Sequence, residues 1–161
     1  MRPPSRFGNS AAIDGRQASM TYQIMYSSQA TRPMTVAALE EILTDAREGN
    51  SARNVTGALV YVDGVFFQVI EGDKDVVRKL IADIAVDTRH EAVKVFYEAE
   101  VDTRTFESWG MAYFSPTAEQ MSAWAGLPGT TTVEGILADI EADPRRAPRV
   151  LPNILQALLQ R

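Results

Sequence analysis

Two apolar runs of strand length, Val55–Val62 and Val65–Ile70, are separated by nothing but Asp63-Gly64. A two-residue connection of this kind closes a β-hairpin through positive φ at both positions, and Asp-Gly is one of the few pairs that accept it at little cost. The chain therefore carries an antiparallel pair near its centre, and the rest must be arranged around it. Upstream, Tyr22-Gln-Ile-Met-Tyr26-Ser alternates, which puts Tyr22, Ile24 and Tyr26 on one face of a strand. Thr35 then caps a helix running to about Glu48, with Leu39, Ile42, Leu43 and Ala46 on one stripe and Gly49 as its stop. Downstream of the hairpin, Glu71-Gly72 closes the second strand and Asp73 caps a helix that turns Val76, Val77, Leu80, Ile81 and Ile84 inward. Ala92–Val101 and Trp109–Phe114 read as two further strands.

The order β-α-β-β-α-β-β predicts an α+β, ferredoxin-like sheet with both helices on one face. That arrangement leaves the other face bare, and the residues after 115 are the ones available to cover it or to bind a partner there. Ser115-Pro116 predicts the start of a short helix to Trp124, followed by a loop at Gly126–Gly129. Val133, Ile136, Leu137 and Ile140 mark one amphipathic helix, and Leu151, Ile154, Leu155 and Leu158 mark a last one. Residues 1–19, with Pro3, Pro4, Gly8, Gly15 and three Arg against one Asp, predict a disordered tail. The expected organisation is a tail over 1–19, a domain over 20–115 and a helical extension over 116–161.

Composition removes several function classes. With no Cys, thiolate catalysis, disulfides and Cys-based metal sites are out, and the single His90 excludes any site that needs two histidines. A net charge of −5 argues against a protein that lives on a phosphate backbone, and the small basic group Arg145, Arg146 and Arg149 does not reverse that. No charge-free stretch reaches the ~18 residues of a membrane span, and no basic-then-apolar leader is present. The expectation is a cytoplasmic domain acting on neither nucleic acid nor membrane. Dinucleotide, phosphate-loop, nucleophile-elbow and metalloprotease motifs are all missing. What stands out is polar chemistry where core is expected. In Phe66-Phe67-Gln68-Val69-Ile70, alternation places Gln68 with Phe66 and Ile70, and a buried carboxamide needs partners for two donors and an acceptor. Tyr26 ends the first strand on the side of Ile24, and Asn50 follows the first helix. Three such groups on adjacent elements suggest a polar ligand edge between the helices.

The segments Ile24-Met-Tyr26-Ser-Ser, Asn50-Ser-Ala-Arg-Asn-Val-Thr56-Gly57-Ala-Leu-Val-Tyr61, Gly64-Val-Phe-Phe-Gln68-Val-Ile-Glu71-Gly72, Asp87-Thr-Arg-His90 and Ser108-Trp109-Gly-Met111 resemble the BLUF family of blue-light sensors using FAD. The resemblance covers about residues 20–115 in order and spacing. It implies that Tyr26 and Gln68 are the photoactive pair and that the flavin ring lies between the two helices, sandwiched by Ile42 and Ile84. It implies further that the Asn50 amide meets the flavin carbonyl edge, with Asn54 as a lesser polar partner nearby. Asp87, Arg89 and His90 fall in the stretch near the other edge of the ring and the ribityl or phosphate region. Trp109 and Met111 match the mobile fifth-strand pair whose exchange near Gln68 carries the signal. Gly49 departs from the family, which often has a larger residue against the ring there, so a looser outer edge is expected.

The chemistry suits these residue types. Tyr combines easy oxidation with a transferable proton, and Gln can exchange its donor and acceptor ends by rotation or tautomerism. The resulting expectation is a non-enzymatic photoreceptor that binds FAD and signals to a partner protein, with self-association as part of the output; the 46 or so residues after 115 are too few for a cyclase or phosphodiesterase domain. Two other readings stay open, a small flavin-dependent redox enzyme and a light-insensitive ferredoxin-like binding module.

Overall fold

A computed structural model describes residues 20–127, 129 and 132–160. The expected tail over 1–19 and part of the 126–131 loop lie outside them. Five strands, β1 (Thr21–Ala30), β2 (Thr56–Val62), β3 (Val65–Gly72), β4 (His90–Val101) and β5 (Ala112–Phe114), form one sheet in the order β4-β1-β3-β2-β5. All neighbours run antiparallel except β2 and β5, which are parallel. The hairpin forms as expected, with Asp63 at φ 48° and Gly64 at φ 82°. Helices α1 (Val36–Arg53) and α2 (Lys74–Ala85) cross one face, as the α+β, ferredoxin-like order requires.

All eight residues of β3 are buried, which demands cover on both sides of the sheet. On one side Tyr22, Ile24, Leu59, Phe66 and Ile70 pack against Leu43, Val77 and Leu80 of α1 and α2. On the other, Met25, Val60, Phe67 and Val69 pack against α3 (Ala118–Trp124), α4 (Val133–Ala142) and α5 (Ala147–Leu159) through Met121, Ile136, Ile140, Leu151 and Ile154. The helices after residue 115 thus cover the face that α1 and α2 leave open. Two apolar layers result, separated only by the sheet.

Several boundaries differ from expectation. Helix α1 runs through Gly49 and ends at Arg53, because Asn54 adopts the left-handed conformation (φ 54°) and its N–H caps the carbonyls of Asn50 and Ser51. Asn50 is therefore inside the last turn rather than after the helix. Helix α3 starts two residues late, at Ala118, because Thr117 and Gln120 form a reciprocal capping box that outcompetes the Ser115-Pro116 start. Strand β5 begins at Ala112, so Trp109 and Met111 lie in the irregular run before it. The Trp109 N–H turns back onto the Phe106 carbonyl at 3.0 Å, a local bond that a strand conformation does not make.

Candidate functional site

Antiparallel register sets Tyr26 of β1 directly opposite Gln68 of β3, with Leu59 of β2 on the far side of Gln68. Directly paired residues share a face with Cβ atoms ~5 Å apart, so the two side chains must meet. They do: the Tyr26 hydroxyl donates to Gln68 Oε1, buried under the helices. Gln68 Nε2 donates one hydrogen to Met111 Sδ at 3.4 Å, a weak acceptor. Its second amide hydrogen has no protein acceptor among the described residues. Burial pushes the Tyr26 hydroxyl far above the ordinary phenol range, and the charge of Asp87 adds to the shift, so Tyr26 is a neutral donor at any physiological pH.

Above this pair a cleft of about 220 Å³ opens between α1 and α2. Sites that swallow a drug-sized ligand run from ~300 Å³ upward, so a space of this size is large enough to take part of such a ligand. Ile42 and Ala46 of α1 face Leu80 and Ile84 of α2 across it, with Leu59 and Phe66 on its floor. Asn50, 3% exposed, lines the same space and donates through Nδ2 to the Gly110 carbonyl at 2.8 Å. Its Oδ1 and remaining amide hydrogen have no partner among the described residues. Buried amide atoms left over in an apolar slot are what a heteroaromatic ring with a polar edge would satisfy, and in this respect the residues present fit a flavin.

The far end of the cleft is held by charge. Arg89 grips Asp87 in a forked pair, with Nη2 2.6 Å from Oδ2, and reaches Asp45 of α1 with Nη1 at 2.9 Å. The hydrogen bond from Arg89, against a smaller opposing desolvation, keeps the Asp87 carboxyl below its usual range. His90 Nε2 donates to the Ile84 carbonyl at 2.7 Å, and Nδ1 lies 2.7 Å from Ser28 Oγ. Both nitrogens of His90 have protein partners, and what it turns to the cleft is the ring. Gly49 also lines the cleft; a Cβ there would sit 2.9 Å from Arg53 Nη1, so the missing side chain makes room for Arg53, which reaches across to Asp83 of α2 at 3.7 Å. Asn54 is committed to capping α1 and does not line the cleft.

Of the expected site residues, Tyr26, Ile42, Asn50, Gln68, Ile84, Asp87, Arg89 and His90 converge on this cleft. Trp109 and Met111 separate. Met111 is 2% exposed on the α1–α2 side against Gln68, whereas Trp109 packs edge-on to Phe106, 6.5 Å between ring centres, with the opposite layer. Sequence reasoning missed Asp45 and Arg47, whose partners Arg89 and the Met111 carbonyl lie far along the chain, and Arg53, which joins the helix only because α1 continues past Gly49. It also missed Glu71, a carboxylate with no exposure that falls in register with Phe67 and Val69; that alternation was the available signal. Among the described residues no cluster of His, Asp or Glu is arranged to hold a metal, and no helix is long and apolar enough to cross a membrane.

Comparison with known proteins adds the following. The model of the family described as sensors of blue-light using FAD matches residues 21–112. The photoactivated adenylate cyclase beta subunit of Euglena gracilis is 36% identical over 105 residues, which is 65% of this chain and 12% of that protein. The alpha subunit of the same organism is 39% identical over 104 residues, 65% of this chain and 10% of that protein. This chain therefore spans about an eighth or less of those relatives. Among solved structures, the ground state of BlsA superposes with a TM-score of 0.66 at 29% identity, covering 73% of this chain and 78% of that one. The dark state of BlrB, a BLUF protein, gives 0.67 at 23% identity over 86% and 98%, a likeness of fold.

Proposed function

The chain belongs to the BLUF family, the sensors of blue-light using FAD, and from that premise we propose that it holds FAD between α1 and α2 and turns blue light into a rearranged hydrogen-bond network at Gln68. The observation that supports this best is the buried contact of Tyr26 with Gln68 on the cleft floor, continued to Met111. Ile42 and Ile84 would sandwich the ring, Asn50 and the spare Gln68 hydrogen would meet its polar edge, and the Asp87–Arg89–His90 stretch would close the opposite end.

When bound and photoexcited, the flavin supplies a strong oxidant. Tyr26 is the oxidisable group beside the cleft, and its desolvated phenol disfavours any charged form. An electron would therefore leave Tyr26 for the flavin together with the hydroxyl proton, and the group placed to take that proton is Gln68 Oε1. Return of both restores neutral Tyr26 but allows Gln68 to settle with its amide ends exchanged, by rotation or by tautomerism. Met111 Sδ would then face a lone pair instead of an N–H, an unfavourable contact that drives Met111 away. Displacement of Met111 biases the Trp109–Met111 run, which carries the change to the layer of α3, α4 and α5.

The output on this reading is a changed contact with a cytoplasmic signalling protein, or with a second copy of the chain, rather than catalysis within these residues. The relatives that match over this segment are named as photoactivated adenylate cyclase subunits, so in proteins of that kind light and a cyclase go together. The visible spectrum before and after blue light tests the proposal. A flavin band that moves slightly to the red and relaxes in the dark supports it; a flavin that bleaches favours a redox enzyme, and no flavin after reconstitution with FAD favours a plain binding module.

A further inference from the structure

We infer that Glu71 is the positioning residue that holds Met111 at Gln68 from the opposite side of the sheet. Glu71 sits three residues after Gln68 on β3, so its side chain points into the other layer, where it has no solvent exposure. Register places Gln23 of β1 and Thr56 of β2 on either side of it. The carboxylate accepts from Gln23 Nε2 at 2.9 Å, Thr56 Oγ1 at 3.1 Å, Thr105 N at 2.7 Å and Phe106 N at 2.8 Å. Every partner is a donor, which only a group with two acceptor oxygens and no hydrogen of its own satisfies. The last two bonds fix the segment that leads to Met111.

From there the chain is held step by step. The Phe106 carbonyl accepts from Trp109 N, and the Trp109 carbonyl accepts from Gly57 N at 3.1 Å. The Gly110 and Met111 carbonyls accept from Asn50 Nδ2 and Arg47 Nε. A segment anchored at one end by Glu71 and at the other by α1 presents Met111 to Gln68 and Trp109 to the helical layer. Loss of the Glu71 anchor weakens the dark arrangement relative to the lit one, and the lit state then lasts longer.

This rests on the photoreceptor reading, and the test separates the two. In Glu71→Gln the side-chain amide must face a backbone N–H, donor against donor, so one arm of the clamp opens. The expected result is a flavin-loaded protein with an unchanged red shift whose dark recovery slows by about fivefold, the equivalent of one ordinary hydrogen bond. In a Met111→Ala background the same substitution should leave recovery unchanged, because its route to Gln68 is gone. Unchanged or faster recovery in Glu71→Gln, or an equal effect with and without Met111, overturns the role, as does a lowered melting temperature with normal recovery. If Glu71→Gln does not fold, Thr56→Val removes one donor and should slow recovery by about twofold. A wild-type protein without any red shift refutes the photoreceptor reading instead.

Discussion

Tyr26 and Gln68 meet because two strands pair in one register, and a single-residue slip would turn one of them to the other face. Tyr26→Phe keeps the ring and its packing but removes the hydroxyl. It should retain flavin and lose the red shift entirely, read as a flat light-minus-dark spectrum. The direction of the Tyr26 shift also fixes a pH response. A phenol whose pKa is raised on folding contributes stability below the unfolded value of ~10 and loses it as pH rises beyond that. The light-minus-dark amplitude should therefore be constant from neutral pH to about 10, with unfolding becoming easier only above it. A titration of that amplitude in the neutral range would show that some other group controls the network. Asp87 behaves in the opposite sense: its lowered pKa contributes stability above the unfolded value of ~3.9, lost as pH falls below it, and because its side chain is 32% exposed the effect is modest.

At the scale of the element, the end of α1 matters most. Asn54 in the left-handed region ends the helix at Arg53, and the added turn holds Asn50 against Gly110, while Arg47 within the expected part of the helix reaches the Met111 carbonyl. Asn54→Ala should cost about 1 kcal/mol in chemical denaturation, because Ala adopts positive φ less readily, whereas Asn54→Gly should be nearly neutral. Asn50→Ala leaves the Gly110 carbonyl without its donor and should cost about 1–3 kcal/mol while weakening flavin retention, measured as the flavin-to-protein ratio after dilution. Helix α1 was legible from its stripe of Leu39, Ile42, Leu43 and Ala46, but its end was not. A Gly followed by polar residues is a common stop, and here a capping Asn five residues later extends the helix. The shortness of β5 was hidden for a related reason: Trp109–Phe114 has strand-like residues, but a bond from the Trp109 N–H to the Phe106 carbonyl and bonds from Gly57, Asn50 and Arg47 hold its first half out of the ladder.

Across the whole molecule, the sheet separates the layer of α1 and α2, which holds the cleft, from the layer of α3, α4 and α5, and β3 and the segment before β5 touch both. Ile140 is 1% exposed in the second layer. Ile140→Ala should lower stability by about 2–5 kcal/mol yet leave the wavelength of the red shift in place, since no atom of it approaches the cleft. Removal of residues 133–161 is a harsher change, because Val133, Ile136, Leu151 and Ile154 cover Met25, Val60 and Val69; the truncated chain should bind a hydrophobic dye and aggregate, as judged by light scattering. A light-dependent change in hydrodynamic size of the intact chain would place the output in contacts between copies, and an unchanged size would place it in a different partner.

The amino-acid sequence alone determined the hairpin, the alternation that puts Tyr26 and Gln68 inward, the apolar stripes of both sheet-facing helices and the resemblance that points to a flavin. These are local properties, carried by residue type and by periods of two and 3.6 residues. Tertiary structure decided that Met111 rather than Trp109 contacts Gln68, that α1 extends past Gly49 to hold Asn50 against the segment before β5, which Arg47 also reaches, and that Glu71 anchors this segment from the far face. Each depends on partners 34 to 64 positions away in the chain, and no pattern within one element specifies which of them a side chain will find when the sheet closes.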